Sequence, residues 1–371
     1  MSLLSFVKGI RDRMVSTDQL HVILGNESLD LDSAVCSIVY AHSQQSSKPP
    51  TSSSLPPPIP VLNVERKDLS LKTEVLFCLR VVGIDPSFLI CKDEFNFENK
   101  TELITLVDHH VLCRDLGFLK DKIHKIFDHR PLVKEKIPQD VELKHSLVGS
   151  CSSLITSTVL NANYRDPIGL KLLYDAILTD TMNLSKETNV TTPLDVEAVE
   201  RIETTLCLSP ESRSTEFESI MKAKRDIGSF TTHQLLRRDL KMILNGDGDK
   251  KVSLSSIFLS LSALRETRSN NFFVDLKSFL EENKLEFSVV TGLYFPKDVM
   301  TRELIIYAKS PGVIMDLKDL LLSIEHFDLT ILEESLSKDE AYVLFSFGNG
   351  TISRKKLMPY VQDYLNKLNS Y

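Results

Sequence analysis

Tryptophan is absent from this sequence of 371 residues, and glycine (13 residues) and proline (15 residues) are scarce. That composition excludes a collagen-like repeat, and 42% hydrophobic with 26% charged residues is ordinary for a globular protein. No apolar run approaches the ~20 residues that a membrane-spanning helix needs. The six cysteines occur singly, without a CxxC pair, which argues against a zinc ribbon or a redox motif. We therefore expect reduced thiols in a cytoplasmic protein, with a mitochondrial or nuclear pool left open.

Positive charge is in short supply in the first half of the chain. Residues 1–210 carry 22 basic and 28 acidic side chains, against 22 and 23 in residues 211–371. An acidic half is a poor general binder of nucleic acid or of an anionic membrane, so neither is an expected partner. A phosphorylated substrate that binds there needs a local source of positive charge.

Short apolar runs alternate with helical patterns in the first half. The predicted strands cover residues 21–24, 60–64, 88–91, 103–107 and 123–127, and the predicted helices cover residues 32–41, 151–160 and 166–180. This alternation predicts an α/β fold with a doubly wound, mostly parallel sheet. The Ser/Pro-rich stretch at 43–60 cannot build a core and is predicted to form a flexible surface loop.

The second half also mixes both patterns, after a predicted linker at residues 206–214. Predicted helices cover residues 216–224, 232–244, 271–283 and 312–325, and predicted strands cover residues 252–259, 287–291, 303–308 and 342–347. The sequence thus predicts two domains, residues 1–208 and a smaller α/β domain at residues 214–371.

Four acidic motifs stand at the ends of predicted elements in the first domain. They are Asn26, Asp30 and Asp32, then Asp108-His109-His110, then Asp128-His129-Arg130, and finally Asp180. The carboxyl ends of strands line the ligand crevice of an open α/β sheet, so these segments can converge. Clustered Asp and His without Cys suit divalent ions such as Mg²⁺, Mn²⁺ or Co²⁺. Alone, Asp30 and Asp32 could cap a helix and Asp128 could sit in a turn, but four motifs in one domain favour a metal site.

These motifs resemble a known superfamily. Asp108-His109-His110 is similar to the signature of the DHH phosphoesterases, and the flanking GNESLDLDS, LVDHH, FDHRP and ILTD segments resemble prune-type exopolyphosphatases. That family is related to yeast cytosolic exopolyphosphatase and to the family II manganese pyrophosphatases. The similarity covers nearly the whole chain. Residues 223–241 resemble the start of the family's second domain, and residues 353–356 resemble its basic substrate motif.

The resemblance implies a site for two divalent metal ions. The implied ligands are Asp108 and Asp180 bridging both ions, Asp30 with Asn26 on one ion, and Asp32 with His129 on the other. The pyrophosphatases have a histidine at the Asn26 position, which argues against a dedicated pyrophosphatase here. The implied catalytic motif is Asp108-His109-His110, and the expected active site is the cleft between the domains. The implied substrate-binding cations are Arg130, Lys241, Arg354, Lys355 and Lys356, of which Arg130 can bind phosphate bidentately.

The leading hypothesis is release of terminal phosphate from short inorganic polyphosphate by a water activated between the ions. One alternative is a phosphodiesterase acting on cyclic nucleotides or short oligonucleotides. The nuclease branch has a glycine-rich GGGH-type motif where this chain has Gly348-Asn-Gly350, which favours the polyphosphatase. Another alternative is a regulatory scaffold with weak catalysis. Vertebrate prune proteins bind nucleoside diphosphate kinase through a C-terminal extension, but this sequence stops at Tyr371, so we expect that partner less than the enzymatic role.

Overall fold

The computed structural model describes residues 1–46, 55–268, 271–337 and 341–368. The chain folds into two compact units, Met1–Asp226 and Ile227–Tyr371. Both units combine helices with a six-stranded sheet, which confirms the predicted α/β class. Among the described residues, no helix has both the length and the apolar character needed to cross a bilayer.

The first unit contains six strands, nine α-helices and several short 3₁₀ helices in its described residues. The strands are β1 Leu20–Leu24, β2 Pro58–Leu62, β3 Ile90–Cys91, β4 Thr101–Val107, β5 Ile123–Asp128 and β6 Glu142–His145. The helices are α1 Leu3–Lys8, α2 Ile10–Ser16, α3 Leu31–Ser46, α4 Thr73–Val81, α5 Phe97–Lys100, α6 Cys151–Asn161, α7 Pro167–Asp180, α8 Pro193–Leu206 and α9 Ser212–Arg225.

The sheet of the first unit has the spatial order β3-β2-β1-β4-β5-β6, and all of its strand pairs are parallel. This confirms the doubly wound prediction. All five residues of β1 are buried, as expected for a strand that is covered on both faces. The strand order reverses between β1 and β4, and in such sheets the ligand crevice forms at that point, beyond the carboxyl ends of the strands. Because β4 also pairs with β5, the segments after β1, β4 and β5 emerge side by side.

The second unit contains a mixed sheet with the order β11-β12-β10-β9-β8-β7. Its strands are β7 Leu240–Leu244, β8 Lys251–Ile257, β9 Phe287–Tyr294, β10 Thr301–Ala308, β11 Leu329–Leu336 and β12 Ala341–Phe347, and its helices are α10 Thr232–Arg238, α11 Leu261–Arg268, α12 Asn271–Asn283, α13 Pro311–Leu322 and α14 Arg354–Lys367. Among the described strands of this unit, only β8 and β9 pair in parallel. Successive residues of β10 face opposite sides, so that Leu304 and Ile306 join one core cluster and Ile305 and Tyr307 the other.

Among the boundaries that differ from the predictions, three concern the linker, the end of a helix and a loop. The predicted linker at 206–214 lies inside the first unit, because α9 packs against α4 and α7. The predicted helix at 232–244 ends at Arg238, because the following residues pair with β8 as β7. The loop predicted at 43–60 is wrong at both ends, since α3 continues to Ser46 and β2 begins at Pro58, and the predicted residues 47–54 lie outside the described part of the chain.

Candidate functional site

Asp32 lies in the first turn of α3, and the start of α6 holds its buried carboxylate. The backbone N–H groups of Cys151 and Ser152 donate to it over 2.8 and 2.7 Å, and the hydroxyls of Ser150 and Ser152 donate over 2.8 and 2.6 Å. Burial alone would raise the pKa of Asp32, but the charge of His129 and these hydrogen bonds lower it below its usual value. The N-terminus of α6 thus keeps Asp32 ionised.

Asp108 follows β4 directly and adopts a left-handed backbone conformation with φ 61°. Its N–H donates to the carbonyl of Phe127 in the neighbouring strand over 2.8 Å. This turn directs the buried carboxylate toward the segment that follows β1. There the hydroxyl of Ser33 and the amide nitrogen of Asn26 donate to Oδ2 over 2.8 and 2.5 Å. Left-handed backbone at a residue other than glycine costs about 1–2 kcal/mol and is found where the surroundings hold it in place.

Two cationic groups contact the other oxygen of Asp108. His129 Nε2 lies 3.2 Å and Arg130 Nη2 lies 2.9 Å from Oδ1. The Nδ1 atom of His129 is 2.9 Å from the carbonyl of Val148, which leaves Nε2 directed at the carboxylates. Burial would lower the pKa of His129, but the hydrogen bond to Asp108 and the charges of Asp32 and Asp108 raise it to about 10. In this state the imidazole is protonated.

The carboxylates of the site repel one another. Burial and the charge of Asp30 raise the pKa of Asp108 to about 7, against the opposing contribution of His129. Burial and the charges of Asp32 and Asp30 raise the pKa of Asp180 well above its usual value. The direction of these shifts indicates that the carboxylates carry more negative charge than the positive charges of Arg130 and His129 neutralise.

This arrangement fits a divalent cation. One ligand atom each of Asp32, Asp108 and His129 lies within 4.8 Å of the others. The donors are carboxylate oxygens and an imidazole nitrogen, which suit Mg²⁺, Mn²⁺ or Co²⁺. Asp30 stands at the start of α3, where it accepts the N–H of Ser33 over 3.0 Å. Its charge acts on both Asp108 and Asp180, so the predicted acidic residues gather at one place.

Both ends of the Asn26 side chain form hydrogen bonds within the protein. Its oxygen accepts the N–H groups of Ser28 and Leu29 over 2.8 and 3.2 Å, and its amide nitrogen faces Asp108. Asn26 therefore holds Asp108 in this arrangement, and its place beside one metal ion stays a prediction. Gly25 allows this close approach, because a Cβ there would lie 2.9 Å from the carbonyl oxygen of Ser33.

His110 forms a support behind the site. Its Nδ1 contacts the carboxylate of Asp128, and its Nε2 accepts the N–H of Val133 over 3.0 Å. Asp128 in turn accepts the N–H groups of His129 and Arg130 over 2.7 and 3.2 Å. Both ring nitrogens of His110 are therefore engaged within the protein, and the catalytic assignment of His110 stays a prediction.

His109 is buried, and its Nδ1 lies 3.0 Å from the carbonyl of Val107. Its Nε2 has no hydrogen-bond partner. Burial lowers the pKa of His109 to about 4, so the ring is neutral near pH 7. The catalytic assignment of His109 stays a prediction.

In the second unit, Arg354 and Lys241 lie at the same end of the β7–β8 pair. Arg354 forms an ion pair of 2.8 Å with Asp239 and also donates to the Asp239 carbonyl over 2.6 Å. Lys241 follows in β7, opposite Leu254, whose carbonyl Arg354 also approaches. Lys355 and Lys356 are exposed in the first turn of α14. Their roles in substrate binding stay predictions.

The sequence motifs missed the residues that hold the candidate metal-binding carboxylates in place. Ser33 and the segment 149–153 orient Asp108 and Asp32 but bear no acidic or histidine motif. The run Gly149-Ser-Cys-Ser-Ser153 before an apolar helix is the available signal, because small polar residues favour helix N-termini.

Comparison with known proteins adds a family context. The model of the DHHA2 domain family matches residues 218–364. Exopolyphosphatase PRUNE1 of Mus musculus is 30% identical over 370 residues, covering 97% of this chain and 79% of the mouse protein. Exopolyphosphatase PRUNE1 of Homo sapiens is 29% identical over 368 residues, with the same coverage of 97% and 79%.

A solved structure has the same fold. It is a Methanococcus jannaschii protein assigned to the family II inorganic pyrophosphatases, with a TM-score of 0.60, 18% identity, and coverage of 94% of this chain and 100% of that one. At this identity the match shows shared architecture alone.

Proposed function

Because the chain belongs to the prune family of exopolyphosphatases in the DHH phosphoesterase superfamily, we propose that it hydrolyses phosphoanhydride bonds. The proposed reaction is metal-dependent release of terminal phosphate from short-chain inorganic polyphosphate. The observation that carries the proposal is the cluster of the buried Asp32 and Asp108 with the partly buried His129 at the carboxyl edge of a parallel sheet. Mutually repelling carboxylates are costly to bury unless a cation binds them.

The proposed site holds two divalent ions. Asp108 and Asp180 would be shared between the ions, Asp30 would complete one, and Asp32 with His129 would complete the other. When bound, two ions supply a hydroxide nucleophile and neutralise the attacked phosphoryl group.

The protein's own residues prepare the site for this role. The N-terminus of α6 keeps Asp32 ionised, and the hydrogen bond of His129 Nδ1 to the Val148 carbonyl directs Nε2 inward. His129 must lose its proton before Nε2 can act as a ligand.

Arg130 is the proposed substrate contact in the first unit. Its guanidinium now pairs with one oxygen of Asp108, and its Nε atom is buried without a partner. An ion on Asp108 would compete for that oxygen, and the guanidinium would then be available for a phosphate oxygen. Arg354 and the neighbouring lysines of the second unit are proposed to bind the rest of the anionic chain.

Phosphate release is the direct test. The purified protein should release phosphate from tripolyphosphate with Mg²⁺, Mn²⁺ or Co²⁺, more than from pyrophosphate or cyclic AMP. Asp108→Ala and Asp180→Ala should abolish release while circular dichroism shows an intact fold. Unchanged turnover in either variant would contradict the two-metal assignment, and a preference for cyclic AMP would favour the phosphodiesterase.

Two further proposals rest on the family resemblance. They are a cytoplasmic location and an interaction with nucleoside diphosphate kinase, which co-purification from cell extract would test. The absence of that kinase from the purified complex would count against the second.

A further inference from the structure

Asp195, in the first turn of α8, is a fully buried carboxylate held by neutral donors. The N–H groups of Gly149 and Ser150 donate to it over 2.8 and 3.3 Å, and the hydroxyl of Ser153 donates over 2.6 Å. The N–H and hydroxyl of Thr192 each donate over 2.8 Å. Its relative exposure is 0%. Five hydrogen bonds on one buried side chain fix the position of both segments that donate them.

The first of these segments also holds Asp32. Ser150 donates its N–H to Asp195 and its hydroxyl to Asp32, and the next two N–H groups, of Cys151 and Ser152, also reach Asp32. The start of α6 is therefore fixed between two carboxylates. One of them faces the metal centre, and the other lies behind it.

The second segment connects Asp195 to Asp180. The chain leaves Asp180 through Thr181 and returns to Thr192, and the hydroxyl of Thr191 donates to the carbonyl of Thr181 over 3.3 Å. Gly149 lies between Thr181 and the side chain of Asp195. A Cβ at Gly149 would lie 2.7 Å from Thr181 Cγ2 and 2.9 Å from Asp195 Oδ2. One segment, residues 149–153, bears the donors to Asp32, and the other follows Asp180. The two segments thus meet at Asp195.

We propose that Asp195 is a positioning residue for the metal centre, which sets the placement of Asp32 and Asp180 without contacting either ion. This inference rests on the proposed metal-dependent function. Residues that orient metal ligands through hydrogen bonds commonly change metal affinity when replaced, although they bind no metal themselves.

Mn²⁺ binding to Asp195→Asn tests the proposal. The change keeps the side-chain volume but turns an amide nitrogen toward N–H donors, so the start of α6 loses part of its support. We expect Mn²⁺ affinity, measured by electron paramagnetic resonance titration of the whole protein, to fall about tenfold. The altered Mn²⁺ spectrum should report a changed ligand geometry, which a general loss of stability would not produce.

Glu303→Gln is the matched control. Glu303 is a buried carboxylate of the second unit that likewise accepts hydrogen bonds from a helix N-terminus, through the N–H of Ser262 over 3.1 Å and its hydroxyl over 2.8 Å. It should lower the melting temperature without changing Mn²⁺ affinity.

The outcomes separate the two proposals. Wild-type protein that binds neither Mn²⁺ nor, in calorimetric titration, Mg²⁺ or Co²⁺ would overturn the proposed function itself. Wild-type binding that Asp195→Asn leaves unchanged, or that Glu303→Gln weakens equally, would overturn the positioning role. If Asp195→Asn fails to fold, Ser153→Ala removes one donor to Asp195 and should weaken Mn²⁺ binding about twofold to threefold. Unchanged affinity in Ser153→Ala would then overturn it.

Discussion

Metal binding should release a proton from His129. In the metal-free protein the hydrogen bond to Asp108, acting against burial, raises the pKa of His129 to about 10. The imidazole must be neutral to bind a cation through Nε2. Each tenfold change in the ratio of neutral to protonated imidazole corresponds to about 1.4 kcal/mol. Neutralising His129 at pH 7 therefore costs about 4 kcal/mol of binding free energy.

The sign of the effect follows from that pKa. Raising the pH favours the neutral imidazole, so the apparent dissociation constant for Mn²⁺ should fall about tenfold per pH unit between about pH 7 and pH 9. Below this range the dependence should be steeper, because the pKa of Asp108 is raised to about 7 and a second proton then competes with the ion. Calorimetric titration in two buffers with different ionisation enthalpies counts the released protons directly.

His129→Gln is the variant that isolates this effect. It keeps a polar side chain but removes the titrating ring, so we expect weaker binding and a smaller pH dependence than in wild type. Part of the dependence should remain, because His129 lowers the pKa of Asp108 and its loss lets the Asp108 proton compete with the ion at higher pH. A wild-type dissociation constant that does not change between pH 7 and pH 9 would refute the protonated state of His129 in the metal-free site. The same pH dependence in wild type and His129→Gln would refute its role as a ligand.

Three further outcomes are expected. In protein treated with EDTA, Asp180→Asn should raise the melting temperature at pH 8. Burial and the charge of Asp32 raise the pKa of Asp180, so its ionised form destabilises the fold. The gain in melting temperature should shrink toward pH 4. Burial raises the pKa of Asp175 to about 7 despite its ion pair with Lys171, so Asp175→Asn should stabilise the protein against urea by about 1–3 kcal/mol at pH 8 and less at pH 5. An equal gain at both pH values would contradict each assignment. Arg354→Gln should raise KM for polyphosphate several-fold without altering Mn²⁺ affinity, and an unaltered KM in steady-state kinetics would remove this motif from the substrate site.

The strands that bear the site were predictable from the sequence. The strand β1 is buried, and β4 and β5 are buried over their carboxyl halves. Their apolar runs end at the polar motifs, so pattern and position agree. The edge strands β6 and β11 were not predictable, although the edge strand β3 was. The residues of β6 are mostly exposed, and β11 exposes Ile331 and Leu332, so neither has the alternation of a half-buried strand. The pairing of β7 with β8 overrides a helical pattern that continues past Arg238.

The sequence indicated which acidic residues and histidine belong to the candidate site, but not the hydrogen bonds that hold them in place. Motif and family resemblance led to the acidic residues and to His129. The orientation of the Asn26 amide, the tie between His110 and Asp128, and the five donors on Asp195 depend on contacts between segments far apart in the chain. Spacing within one motif carries no information about such contacts.

The connection between α3 and β2 has a practical consequence. It joins the end of α3 at Ser46 to the amino end of β2 at Pro58, whereas the proposed metal site lies beyond the carboxyl ends of the strands. A cut in this connection would place Asp32 on one fragment and Asp108 with His129 on the other. If the proposed function is correct, the protein would suit a split reporter. Mn²⁺ would then stabilise the reassembled pair, and recovered phosphate release would signal that two fused partners have met.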